Sequence, residues 1–226
     1  MKGNLKKVIA IDGPSGAGKS TIARLIAKEI GFDYLDTGAL YRAVALALRN
    51  SGIKPEDGDD QLREVLNNAA IIFKNGRIFL NNSDVSEDIR SKEIDHLSSV
   101  FSTKKIVRDC LLDAQRNTAF TTNIVVEGRD ITTVVFPDAW KKIYLDASME
   151  ERAKRRSHQF RERGIEMSIE ESIKNITERD MRDSRRDIAP LKKPEGALLI
   201  DSSNLSIGLV KEKILEFIRA DPLVTQ

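Results

Sequence analysis

The sequence predicts an α/β fold: a doubly wound parallel sheet of five strands, a small antiparallel lobe inserted into it, and a helical lid. Three observations carry this. Short apolar runs alternate with amphipathic helical patterns along most of the chain, a glycine-rich phosphate-binding pattern joins the first run to the first helix, and an Asn75-Gly76 pair breaks the alternation once.

The first strand is expected at residues 8–11, and it runs straight into Gly13-Pro14-Ser15-Gly16-Ala17-Gly18-Lys19-Ser20, followed by Thr21. This is a complete Walker A pattern, so the expected architecture is that of the P-loop NTPases. Its glycines let the backbone turn amides inward around phosphate oxygens, and the helix behind it adds the positive end of its dipole. Lys19 is placed to span the β- and γ-phosphates, and Ser20 to offer a hydroxyl to the Mg²⁺ that arrives with ATP. The helix at residues 20–30 carries Ile22, Leu25, Ile26 and Ile30 on one side.

Further strands are expected at residues 34–35, 124–126, 143–145 and 198–200, and further helices at 39–51, 105–120, 149–164, 168–180 and 207–219. The strands are short and uniformly apolar, as in a parallel sheet covered on both faces. Active residues in such a sheet belong at the carboxyl ends of its strands. Between about residues 61 and 96 the pattern changes to a helix and two strands, 70–73 and 77–80, around Asn75-Gly76. That dipeptide signals a two-residue type I′ hairpin, and the lobe reads either as a cover for a substrate or as an inert insertion.

Composition narrows the function classes. At 40% hydrophobic and 32% charged, the 226 residues are ordinary globular usage, which excludes a disordered chain or a membrane protein. A formal charge of +2 does not advertise nucleic-acid binding. The lone Cys110 excludes an intramolecular disulfide framework; lying in Cys110-Leu111-Leu112 with no flanking histidine, it is expected to pack in the core. The basic start is followed by too short an apolar run for a signal peptide, and no window reaches transmembrane length, so a cytoplasmic protein is expected. His96 and His158 form no ligand cluster and read as structural or surface residues.

Arginines crowd residues 152–163 and 179–186, interleaved with acids. Alone, this reads as solvated, ion-paired helix faces. Beside a phosphate loop it reads differently. A phosphate monoester has a second pKa near 6 and is already an anion at neutral pH, so transfer to it needs cations more than a base. Arg179, Asp183 and Arg186 lie at i, i+4 and i+7, which places them on one helix face. Asp36, at a strand end, could organise a metal-bound water or Arg42, or merely cap the next helix. No guanine-reading tetrad occurs, and 226 residues without repeats leave little room for motor domains. Kinases of other small acceptors and a nucleic-acid-stimulated ATPase remain as alternatives.

The segments IDGPSGAGKST, LDTGALYR, EGRDITTVVFPDA, KIYLDAS, ERAKRR, ERDMRDSRRDIAPL and LLIDSSNLSI together resemble the bacterial cytidylate kinases, which phosphorylate CMP and dCMP with ATP. The resemblance implies that Arg42 and Arg129 hold the acceptor phosphate, with Asp36 and Thr37 beside them. It implies that Asp130, Ser99 and Arg108 read the cytosine edge, and that Asp183 holds the sugar hydroxyls between Arg179 and Arg186. Arg152, Arg155 and Arg156 resemble a mobile lid over ATP. Lys19, Arg129, Arg155 and Arg186 are then the catalytic candidates, with Arg156 grouped among the ATP-binding residues. Mg²⁺ bound with ATP is the one cofactor implied, and a monomer without nucleic-acid or membrane partners is expected. Thr37, Ser20 and Glu127 depart from common family residues, but each keeps a hydroxyl or carboxylate or restores the ordinary Walker A form. The implied division is a core at residues 1–36, 99–150 and 187–226, a monophosphate-binding region at 37–98 with its hairpin lobe at about 61–98, and a lid with its arginine-rich segment at 151–186.

Overall fold

The computed structural model describes residues 6–220; residues 1–5 and 221–226, assigned above to the core, lie outside the described residues. The central sheet has five parallel strands, β1 (Val8–Asp12), β2 (Asp33–Asp36), β6 (Ile124–Gly128), β7 (Lys141–Asp146) and β8 (Leu198–Asp201), in the spatial order β2-β6-β1-β7-β8. Each strand runs one or more residues beyond its expected span, so the polar residues at the carboxyl ends belong to the sheet. Because β1 sits between β6 and β7, the loop leaving it opens at the middle of the sheet's carboxyl edge.

Both faces of the sheet are covered, and β1 shows how. Val8 and Ala10 join one apolar cluster, while Ile9 and Ile11 join the other. The period-two geometry of a strand sends alternate residues to opposite sides. The second cluster packs α1 (Lys19–Ile30) and α8 (Ile207–Arg219) against the sheet. In α1 the buried stripe is Ile22, Ala23, Ile26 and Ala27, so Leu25, expected on the apolar side, is 37% exposed.

The first cluster packs α2 (Thr37–Asn50) and α5 (Lys105–Thr121) against the other face and continues into the inserted region. That region holds α3 (Asp59–Asn67), a three-stranded antiparallel sheet of β3 (Ile71–Lys74), β4 (Arg77–Leu80) and β5 (Ser83–Asp84), and α4 (Lys92–Phe101). Asn75 and Gly76 have φ of 52° and 74°, as a type I′ turn requires, and Lys74 pairs with Arg77 across it. Leu62, Ile78, Ile89 and Phe101 belong to the same buried cluster as Val126 and Val44. The lobe therefore shares the core of this face.

Two expectations are corrected here. Helix α4 does not show in the apolar pattern because three of its five buried residues are polar: Asp95, Ser98 and Ser99 lie between Ile94 and Phe101. Ser91 caps it, accepting from Ile94 N at 3.2 Å. Cys110 is exposed, not packed. The buried stripe of α5 is Val107, Arg108, Leu111, Gln115 and Ala119, which turns Cys110 outward although it adjoins two leucines in sequence. Among the described residues no helix is long and apolar enough to cross a membrane.

Candidate active site

The loop after β1 follows the Walker A pattern through backbone conformations that need glycine. Gly13 has φ 153°, and a Cβ there would lie 1.9 Å from the carbonyl oxygen of Leu145. Gly16 has φ 77° and presses against the backbone of Arg152. Two helices, α6 (Met149–Arg161) and α7 (Ile169–Arg185), clamp this loop from outside. Ser15 N donates to Asp180 Oδ1 at 2.9 Å, while Arg152 donates to Ser15 O and Ala147 O, each at 3.0 Å, and pairs with Asp180. Arg152, grouped above with a lid over ATP, is buried and fastens the loop.

Lys19 is buried, with its Nζ donating to Pro14 O at 2.7 Å. Burial, and then the charge of Arg129, pulls its ammonium down to about 7. Ser20 Oγ donates to Glu127 Oε1 at 2.5 Å. Burial, then Asp36 nearby, raises the Glu127 carboxyl. With its hydrogen directed at Glu127, Ser20 keeps lone pairs free, and an all-oxygen set of hydroxyl and carboxylates beside the loop suits a hard divalent ion.

The strand ends connect this loop to the opposite wall. Asp12, at the end of β1, accepts from Ile131 N at 3.0 Å, Thr132 N at 2.8 Å and Thr132 Oγ1 at 2.5 Å. It thereby pins the turn that follows Arg129 and Asp130. Thr37 Oγ1 donates to Glu127 O at 2.7 Å and Asp36 accepts from Ala39 N at 2.9 Å. Asp36 thus caps α2, which orients the helix carrying Tyr41 and Arg42.

A cleft of about 530 Å³ runs from the loop to this wall, lined by Lys19, Ser20, Arg42, Arg129, Asp130 and Asp183 among others. At its far end Asp130 pairs with Arg108 through one oxygen and accepts from Arg186 at 3.2 Å through the other. The Arg108 guanidinium stands 5.7 Å from the centre of the Tyr41 ring. Arg129 Nε donates to Asp183 at 2.9 Å, with Arg186 and Arg179 at 3.9 and 4.0 Å. Burial alone would raise the Asp183 carboxyl, but Arg129, Arg179 and Arg186 together hold it below the usual range.

Arg179, Asp183 and Arg186 do converge, though not on one helix. Arg186 follows the end of α7 in an extended conformation, φ −64° and ψ 141°, and a bond from Leu191 N to Asp183 O turns the chain back. Pro190 ahead disfavours further helix. Ser99, expected to read a base, accepts from Arg182 Nε at 3.0 Å; the neighbouring Ser98 and Ser102 line the cleft instead. Arg155 is held by Ala17 O and Ser202, at 2.8 to 3.3 Å, and Arg156 pairs with Asp95. His158 and His96 are exposed.

Sequence reasoning missed Asp95, Asp180 and Arg90. Asp180 and Asp95 are single acids among many, and no neighbour in sequence marks Asp180 for its bond to Ser15 or Asp95 for burial. Asp95 takes Arg179 at 2.7 Å, Arg42 at 3.5 Å and Arg156. Burial opposes its charge, yet these arginines hold its carboxyl far below the usual range. Arg90 lines the same cleft, 4.0 Å from Asp36.

A family model described as "Cytidylate kinase" matches residues 9–220. A protein named "Cytidylate kinase" from Thermodesulfovibrio yellowstonii is 51% identical over 223 residues, covering 94% of this chain and 99% of that one. One of the same name from Thermotoga sp. (strain RQ2) is 44% identical over 211 residues, covering 93% and 96%. Among solved structures, an uncharacterized protein from Eubacterium ventriosum superposes with a TM-score of 0.53 at 12% identity, covering 96% of this chain and 99% of that one. At that identity the likeness concerns the fold alone.

Proposed function

The chain belongs to the cytidylate kinase family, and from that premise we propose that it transfers the γ-phosphoryl group of Mg-ATP to CMP and dCMP. One observation carries the reading. One cleft is lined by the phosphate loop with Lys19, by Arg42 and Arg129, and by Asp130, whose buried partner is Arg108.

Cytosine presents an N4 amino donor beside an acceptor nitrogen. A carboxylate and a guanidinium held side by side match that edge, Asp130 accepting and Arg108 donating. Ser98, which lines the cleft where Ser99 does not, adds a hydroxyl. Asp183 accepts from the sugar hydroxyls, and Arg42 and Arg129 meet the acceptor phosphate, with Thr37 beside them. The loop amides, Lys19 and the positive end of α1 hold the ATP phosphates. Mg²⁺ enters as part of the substrate and supplies charge neutralisation, with Ser20 as its protein ligand.

The transfer balances without a base. An anionic oxygen of CMP forms a bond to the γ-phosphorus as the bond to the ADP oxygen breaks, and charge spreads over three equatorial oxygens. Lys19, Arg129, Arg179 and Arg186 are the cations nearest that charge. Arg155 joins them by leaving Ala17 O and Ser202. Residues 151–186 act as a doubly anchored lid and residues 37–98 as the acceptor-binding region, and their closure excludes water that would compete with CMP for ATP.

The test is a coupled ADP-release assay across the common nucleoside monophosphates at fixed Mg-ATP. CMP and dCMP should support the fastest turnover. Equal turnover with AMP and GMP, or turnover that requires added DNA or RNA, would overturn the assignment.

A further inference from the structure

Asp95 stands outside the motifs that carry the family resemblance, yet more arginines meet on it than on any other carboxylate of the cleft wall except Asp183. Arg179 Nη1 donates to its Oδ1 at 2.7 Å, Arg42 Nε lies 3.5 Å from the same oxygen, and Arg156 pairs with Oδ2. The three come from α7, α2 and α6. All three line the cleft, whereas Asp95, with a side chain 7% exposed, lies behind them and does not.

This arrangement has an electrostatic consequence. Three guanidinium groups around one carboxylate leave a positive surplus, which suits the phosphate of a monoester, an anion at neutral pH. Without the carboxylate the same three groups would stand at +3 in a partly buried wall and repel one another. Asp95 does not use up their capacity either. Among the described residues, the Nε–H groups of Arg156 and Arg179 are buried without an acceptor, so Asp95 does not satisfy every donor of its arginines.

The carboxylate also joins two parts of the molecule. Asp95 is on α4, which continues the inserted lobe, and two of its partners are on α6 and α7. Two more contacts follow the same seam: Arg182 Nε donates to Ser99 Oγ at 3.0 Å and Lys92 Nζ to Glu166 O at 2.9 Å. Those contacts are peripheral to the cleft, while the Asp95 contacts set the guanidinium positions within it.

We infer that Asp95 is a positioning residue for phosphoryl transfer: from behind the cleft wall it gathers Arg42, Arg156 and Arg179 into one site of matched charge for the acceptor phosphate. This rests on the kinase reading above, because the anion it prepares for is that acceptor. Asp95 touches no reacting atom and acts through the arginines, so its removal should leave the phosphate loop alone.

The experiment compares wild type, Asp95→Asn and Asp95→Glu. Wild-type turnover with CMP comes first, because its absence would remove the kinase reading itself and not this inference. In Asp95→Asn, kcat/KM for CMP should fall on the order of 10–100-fold, as for misplaced substrate-holding groups. Binding of ATP alone should change by less than about threefold. Asp95→Glu, which keeps the charge, should recover part of the loss. A melt with added inorganic phosphate should raise the Tm of Asp95→Asn more than that of wild type, because the anion replaces the missing charge. Wild-type kcat/KM in Asp95→Asn would overturn the inference. So would equal losses in CMP use and ATP binding, an Asp95→Glu variant no better than Asp95→Asn, or a Tm shift with phosphate no larger than that of wild type. If Asp95→Asn folds only with phosphate present, that dependence supports the inference, and Asp95→Glu then provides the kinetic comparison.

Discussion

The two ends of the cleft are built by different means. Residues 13–20 are consecutive and hold their shape through glycine conformations and backbone amides, with Lys19 and Ser20 attached to the same turn. The acceptor end is made of side chains from α2, α5, the end of β6, α7 and the residue after it, brought together by buried ion pairs on Asp130 and Asp183. The first end carries its turns and phosphate-facing groups in local sequence, and Arg152 and Asp180 only fasten it from outside. The second exists only when distant elements pack, so its arginines depend on one another. The loop should therefore respond to substitutions one group at a time, and the acceptor wall as a unit.

Lys19→Ala should give the largest effect on turnover. In the proposed mechanism it removes the cation on the migrating phosphoryl group, and kcat should fall on the order of a thousandfold. The fold should persist, because its partner is a carbonyl of its own loop. A folded variant with near-wild-type turnover would contradict the role of the loop.

Asp130→Ala probes the unit. It leaves buried Arg108 without its carboxylate and Arg186 with Asp183 alone, which should destabilise the protein by about 3–5 kcal/mol. The half-saturating CMP concentration should rise on the order of tenfold or more, and discrimination against purine monophosphates should weaken. Arg108→Ala should act in the same direction. Denaturant melts with steady-state kinetics on CMP and AMP measure both effects, and unchanged selectivity in both variants would break the base-reading assignment.

Asp183→Ala sharpens the comparison further. The carboxylate is also the acceptor for Arg129, so losses are expected for both CMP and dCMP, with CMP losing more by up to about tenfold, the worth of one unmatched hydroxyl contact. The ratio of kcat/KM for the two acceptors is the measurement. Equal relative losses would leave Asp183 with an arginine-holding role alone.

The smallest effect concerns pH. Lys19 is lowered to about 7 in the nucleotide-free protein, and bound phosphates favour its charged form. Nucleotide binding above pH 7 should therefore take up a proton, and ATP affinity should weaken as pH rises through 7 by at most about tenfold per unit. Below pH 7 the lysine is already charged and this dependence vanishes. Titration calorimetry at pH 8 in buffers of different ionisation enthalpy reads the uptake directly; no uptake would show that Lys19 is charged throughout.

Some of the acceptor wall was still legible in advance, because EGRD and ERDMRDSRRD concentrate arginines beside carboxylates. Their convergence survives although α7 ends at Arg185, since the turn after it swings Arg186 back toward Asp130. Helix α4 was not legible. Its buried residues include Asp95, Ser98 and Ser99, and an apolar period cannot reveal a stripe buried by ion pairs and hydroxyls. Cys110 misled for the opposite reason, being apolar in sequence neighbourhood but on the outward side of α5.

By itself the sequence determined the five strands, the phosphate loop and the hairpin, because strand alternation, glycine conformations and the Asn75-Gly76 turn are properties of residues adjacent in the chain. Only the tertiary structure decided which acids would hold which arginines. Asp95, Asp130, Asp180 and Asp183 gain their partners from elements up to 165 residues away, as Asp180 does from Ser15. An ion pair becomes strong enough to set geometry only after packing has taken both groups out of water, and no local pattern records which acids that will be.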